Sequence, residues 1–266
     1  MGTLLFRGVV IGIVAGLLAF GWARTFGEPP VNQAIDFESK LNEAKAAAAI
    51  AAGKPVPEDT EIFSRSVQSG IGLLTGLVAV GAGLGALFSI LFAFANGRIG
   101  RLRPGATSVL VAFSGWMSVY VVPALKYPAN PPSIGEPDTI KYRTGLYFLM
   151  LAISIASTLS AWMVGRRLAP RYGVWNASIV AVACYLLVLA VFFWVLPGIN
   201  EVPAEFPAVT LWNFRVASFG IQAVLWGSIG VLFGCLGEWS IAGDRHIGTM
   251  LPSGGPGKDP APNRAR

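Results

Sequence analysis

The sequence predicts an all-α polytopic membrane protein: six transmembrane helices arranged as three helical hairpins, with N- and C-termini cytoplasmic. Three observations lead there. Charged residues make up 13% of the chain and mean hydropathy is +0.60, whereas soluble domains carry about 25% charged residues. Six stretches reach the length of about 20 apolar residues that a helix needs to cross hydrocarbon at 1.5 Å per residue. They are Leu4–Arg24, Ser69–Ala95, Thr107–Leu125, Tyr142–Val164, Ala177–Leu196 and Phe214–Gly237. The charges also sort by side.

With the N-terminus inside, the inner side receives Arg7, Arg98, Arg101, Arg103, Arg166, Arg167 and Arg171, together with the basic residues of the tail. The outer side receives 11 of the 14 acids, among them Glu28, Asp36, Glu136, Asp138, Glu201 and Glu205. This is the positive-inside pattern, so the formal charge of +6 is a topology signal and requires no nucleic-acid partner. The expected partner of the whole surface is a lipid bilayer. Residues 1–242 form the six-span domain, with an outer segment at 26–64, and residues 243–266 read as a disordered cytoplasmic tail. The first span reads as a retained helix, because Gly21-Trp-Ala23 is a poor cleavage site and further spans follow.

Taken in order, span one carries Gly8, Gly12 and Gly16 on one helical face, and span two carries Gly72/Gly76 and Gly81/Gly85. Small residues at spacing four let two backbones approach closely. Span one should leave the membrane through Phe26-Gly-Glu28-Pro-Pro30, followed by a separate alanine-rich helix over Ala34–Ala52. Span two, helical from Thr60 to Asn96, would be about 55 Å long and would protrude or tilt. A basic loop, Gly97–Gly105, leads to span three, and Arg166–Gly173 joins span four to span five. Span five ends at Leu196-Pro-Gly198.

Between spans three and four lies Lys126-Tyr-Pro-Ala-Asn-Pro-Pro-Ser-Ile-Gly-Glu-Pro-Asp138. Its prolines forbid a helix. The segment is either a plain connector or a lip of fixed carbonyls and carboxylates over a pathway. Each even span begins on the outer side with an arginine: Arg65, Arg143 and Arg215. Against the positive-inside bias, such arginines call for local anions, either outer carboxylates or lipid phosphates. Their recurrence motivates the three-hairpin plan, with chance alignment as the alternative.

No Asp, Glu, Lys, Arg or His lies near a span midpoint, and HExxH, CxxC and Walker A motifs are absent. The single histidine, His246, is in the tail, while Cys184 and Cys235 lie within apolar spans as packing residues. These features argue against an enzyme and against a resident cofactor. The outer acids Glu28, Asp36, Glu136, Asp138, Glu201 and Glu205, with Asn130, are the candidate metal site. They either ring a common mouth that concentrates a divalent cation by its field or are ordinary solvated loop charges.

Several segments resemble one known family. They are Glu28-Pro29, Ala34-Ile-Asp-Phe-Glu38, Glu61-Ile-Phe-Ser-Arg65, Lys126-Tyr-Pro-Ala-Asn-Pro-Pro132, Gly135-Glu-Pro-Asp-Thr-Ile140 and Gly165-Arg-Arg-Leu-Ala-Pro170. Together they resemble the CbtA family of predicted cobalt transporter subunits, in its actinobacterial form. The resemblance implies a multi-pass protein of the bacterial inner membrane tied to cobalt supply for cobalamin, with Co2+ as cargo. It also implies a small single-span partner, CbtB, with a histidine-rich end. Co2+ favours imidazole and carboxylate ligands, so the acidic mouth would collect or pass the ion while the partner supplies nitrogen ligands. The competing expectation is a non-conducting structural or assembly subunit of a larger membrane complex.

Overall fold

The structure, a computed structural model, describes residues 2–53, 63–99, 102–132 and 134–250. Among these residues the fold is helical without strands, and five helices are long and apolar enough to cross a membrane. They are α1 (Gly2–Ala51), α2 (Arg65–Ala95), α3 (Pro104–Lys126), α4 (Ile140–Val195) and α5 (Ala208–Met250).

Helix α1 corrects the first expectation. Span one and the alanine-rich segment form one helix of 50 residues, about 75 Å at 1.5 Å per residue. Pro29 and Pro30 do not break it, because a π-helical turn at Ala23–Gly27 comes immediately before them. There the Glu28 N–H bonds back to the Ala23 carbonyl. The widened turn moves aside carbonyls that a proline ring would strike in a regular helix. A second π-helical turn, at Met117–Val121, precedes Pro123 in α3 in the same way.

Helices α1 and α2 run antiparallel along a seam of glycines. Gly8 meets Gly85, Gly12 meets Gly81, and Gly16 meets Leu77. A Cβ added to Gly12 would lie 2.0 Å from the Gly81 carbonyl oxygen, so backbone rests on backbone. Gly72 and Gly76 do not belong to this seam: both are exposed, and a Cβ on Gly76 would meet nothing within 4 Å. The Gly72/Gly76 pairing expected from spacing is therefore corrected. Helical spacing fixes a face of α2 but does not extend the contact along its whole length. Helix α2 starts at Arg65 after an extended Ser64 (ψ 149°). At 31 residues it spans about 46 Å, shorter than the expected 55 Å. Glu58, Asp59, Thr60 and Glu61 lie outside the described residues.

Helices α3 and α5 close the core. The ring of Phe233 packs edge-on against Phe88 and Phe92 at 5.3 and 5.0 Å, beside fully buried Leu225 and Ile229. The Ser108 hydroxyl donates to the Gly230 carbonyl at 2.7 Å, and the Gly105 N–H donates to Glu238 Oε1 at 3.0 Å. Helix α5 continues to Met250, past the tail boundary placed at residue 243, and residues 251–266 lie outside the described residues.

The stretches expected as spans four and five share one helical run of 56 residues, α4, interrupted at Gly173 (φ 79°, ψ 158°). The Arg166–Gly173 stretch is helical up to that residue rather than a loop. Pro170 and the left-handed glycine supply the bend. The two arms pack on each other: Gly165 faces the Ala181 methyl, and Met150 shares a cluster with Leu189. This folded-back helix touches the rest of the molecule through Val122 and Tyr127 at the end of α3.

Candidate functional site

The sequence-predicted residues lie at one end of the bundle, where described parts of the segments 127–139 and 196–207 meet the starts of α4 and α5, and where the start of α2 pairs with α1. Local sequence explains why these segments hold a shape. Lys126 ends α3 and reaches the open carbonyls at the end of α4, with Nζ donating to Phe193 O at 2.8 Å and Leu196 O at 2.7 Å. A cation placed there satisfies carbonyls that the helix leaves unpaired. The neighbouring Tyr127 hydroxyl donates to Pro197 O at 2.9 Å. The sequence placed Lys126 and Tyr127 at the head of the proline-rich segment but did not show that their side chains tie it to the end of α4.

Each of the three arginines holds a different piece. Arg65 pairs with Glu28 and also donates from Nε and Nη2 to Asn32 Oδ1 at 3.1 and 3.0 Å. Arg143 Nη1 pairs with Glu201 Oε2 at 3.0 Å and reaches the Ile134 carbonyl at 3.4 Å. Arg215 takes neither carboxylate: its Nε donates to Ala129 O at 3.3 Å and its Nη2 to Asn130 Oδ1 at 2.9 Å. Gly135 makes the Arg143 contact possible. Its φ of +119° suits glycine, and a Cβ there would lie 1.6 Å from Arg143 Nη1.

Glu201 is the hub of the second anchor. Its Oε1 accepts the Thr139 hydroxyl at 2.6 Å and its Oε2 accepts the Glu136 N–H at 2.9 Å. The Thr139 hydroxyl does most to hold the Glu201 carboxyl below the usual carboxylate range. The Glu136 N–H and the Arg143 charge act the same way, against partial desolvation. Beside this anchor, the second half of α1 lies on both segments. Ala34 clusters with Ile134 and Phe206, Phe37 meets Phe206 edge-on at 5.1 Å, and Thr210 Oγ1 bonds Gln33 Oε1 at 2.8 Å.

The candidate acids thus do not converge. Glu28 is held by Arg65, Glu201 is held by Arg143, and Asn130 is held by Arg215. Asp36, Glu136, Asp138 and Glu205 are exposed. Among the described residues, no three His, Cys, Asp or Glu side chains stand where they could share a metal ion. A cavity of about 340 Å³ does lie in this end, between Tyr127, Asn130, Arg143, Tyr147, Glu201 and Arg215.

The profile of one protein family, described as a probable cobalt transporter subunit (CbtA), matches residues 1–238. The match covers most of the chain, so the chain belongs to this family. No curated protein and no solved structure matches it.

Proposed function

We propose that the chain is the integral membrane subunit of a cobalt, or more broadly divalent-metal, transporter that serves cobalamin supply in the bacterial inner membrane. Membership of the transporter-subunit family over residues 1–238 carries the reading. In this reading the protein crosses the bilayer six times as three hairpins with both termini in the cytoplasm. The Gly173 bend in α4, with its arms packed together, supports counting α4 as two crossings. The metal is cargo rather than resident cofactor, and the chain has no catalytic step.

The mouth of Glu28, Asp36, Asn130, Glu136, Asp138, Glu201 and Glu205 acts on the ion by its field and supplies no closed ligand shell. Two of its carboxylates already neutralise arginines, and the exposed Glu136 and Asp138 carry the free charge. Nitrogen ligands then come from a small histidine-bearing CbtB-type subunit. Cells expressing this protein with that subunit should accumulate labelled cobalt. The E136Q/D138N double variant should accumulate less, and undiminished uptake in it overturns the mouth assignment.

A second reading, a non-conducting structural or assembly subunit, is favoured by the closed aromatic packing of Phe88, Phe92 and Phe233 among α2 and α5. It predicts stable co-purification with a larger complex in mild detergent and no change of metal uptake on deletion.

A further inference from the structure

The cavity at the loop end is lined by two guanidinium groups and one carboxylate. Its volume of about 340 Å³ lies within the range of roughly 300–1,000 Å³ typical of small-ligand clefts. Glu201 is spent: Oε2 takes Arg143 and the Glu136 N–H, and Oε1 takes the Thr139 hydroxyl. Arg215 is half-buried, and its bonds run to a backbone carbonyl and an amide oxygen. Neither partner carries charge, so among the described residues the lining keeps one positive charge in excess. A guanidinium withdrawn from water without a counter-ion is costly. Three of its five N–H donors also remain for another acceptor.

We propose that this cavity binds a phosphate group, with Arg215 as its principal ligand and Arg143 at its side. Inside the cavity the charge excess favours an oxyanion, while the exposed Glu136 and Asp138, which do not line it, keep the negative field of the mouth. The planar guanidinium fork fits phosphate oxygens in pairs. Depth selects phosphate among oxyanions. Arg215 lies two turns into α5, one turn beyond the exposed Trp212, and tryptophans of this kind sit at headgroup level. Lipid phosphates occupy that level. Exposed Pro128, Thr144 and Asn200 form the rim through which the group enters. Asn130 is a positioning residue: its Oδ1 orients the Arg215 fork without neutralising it.

The phosphate can belong to a phospholipid headgroup or be free in solution, and one experiment separates the two. The full-length protein, purified and delipidated in detergent, is titrated with phosphatidylglycerol or with inorganic phosphate. Native mass spectrometry counts bound molecules, and thermal unfolding reads the gain in midpoint. The wild type should retain phosphatidylglycerol or phosphate, with affinity at least tenfold above that of R215Q and with R215K intermediate. Binding of the lipid alone assigns a headgroup, and equal protection by inorganic phosphate assigns the free anion. N130D keeps the guanidinium in place but supplies it with a carboxylate, and it should also lose binding, which guards against an unfolded R215Q. R103Q, at the opposite end, should bind as the wild type does. Equal binding by wild type, R215Q and N130D, or no binding by the wild type, overturns the proposal. Cobalt uptake is not a readout here, so this test stands or falls apart from the transport reading.

Discussion

The α1–α2 seam and the folded-back α4 are built from equally apolar sequence, yet they are held in opposite ways. In the seam, Gly8, Gly12 and Gly16 bring two backbones into contact over about two turns, with no room for a methyl group. In α4, Gly145 faces open space, and a Cβ added to Gly165 would meet the Ala181 methyl at an ordinary 3.6 Å. Burial follows: 33% of the most apolar window of α1 is buried in the fold, against 11% for α4. Trp175 and Trp194 in α4 are 78% and 86% exposed. Hydropathy alone does not tell a packed helix from one that lipid solvates. The seam depends on close packing. Helix α4 is held at one end, by the apolar cluster of Val122, Tyr127, Met150 and Leu189 and by polar ties from Lys126, Tyr127 and the Arg143–Glu201 pair.

That contrast breaks most visibly at Gly12. Gly12→Leu should prevent folding, read as loss of a monodisperse peak after detergent extraction. Gly12→Ala should cost about 1–3 kcal/mol, the range for overpacking a tight interior. Lys126→Met should loosen α4 and leave the seam intact. Removing charged donors from two carbonyls costs about 1.5–3 kcal/mol, while the methionine keeps the stem's packing. Protease cleavage in the 196–207 segment should rise, with α1–α2 cross-linking between Gly12→Cys and Gly81→Cys avoided in favour of peptide mapping, since those positions have no space. A smaller effect lies in pH. The Glu201 carboxyl is held below its ordinary value when folded. Its contribution is therefore complete above the unfolded-state value and disappears as pH falls through the folded one. Thermal unfolding below the usual carboxylate range should lose this component in the wild type and show no such component in Glu201→Gln. The smallest change sharpens the comparison: Gly76→Ala, off the seam, should shift stability by no more than about 0.5 kcal/mol.

Much of the fold was legible because its signals are local. Apolar stretches of spanning length, the proline-rich Lys126–Asp138 segment and the Gly8/Gly12/Gly16 face all read directly from spacing. The continuation of α1 through Pro29 and Pro30 was not legible, because proline rules describe a regular helix and the π-helical turn at Ala23–Gly27 changes the register. The site was legible only as a set of residue types. Acids and arginines on the same segments do not say whether the acids face an ion or the arginines. The structure places Glu28 and Glu201 on arginines and leaves Arg215 to Asn130.

By itself the sequence determined that this chain is helical and apolar enough for a bilayer, and where its charged turns fall, since transfer from water and helix period act residue by residue. Only the tertiary structure decided which glycines touch, where α4 folds back and which carboxylates are paired with arginines. Those outcomes depend on groups tens of residues apart arriving within a few ångströms of one another, and each such meeting is chosen by the packing of the whole bundle.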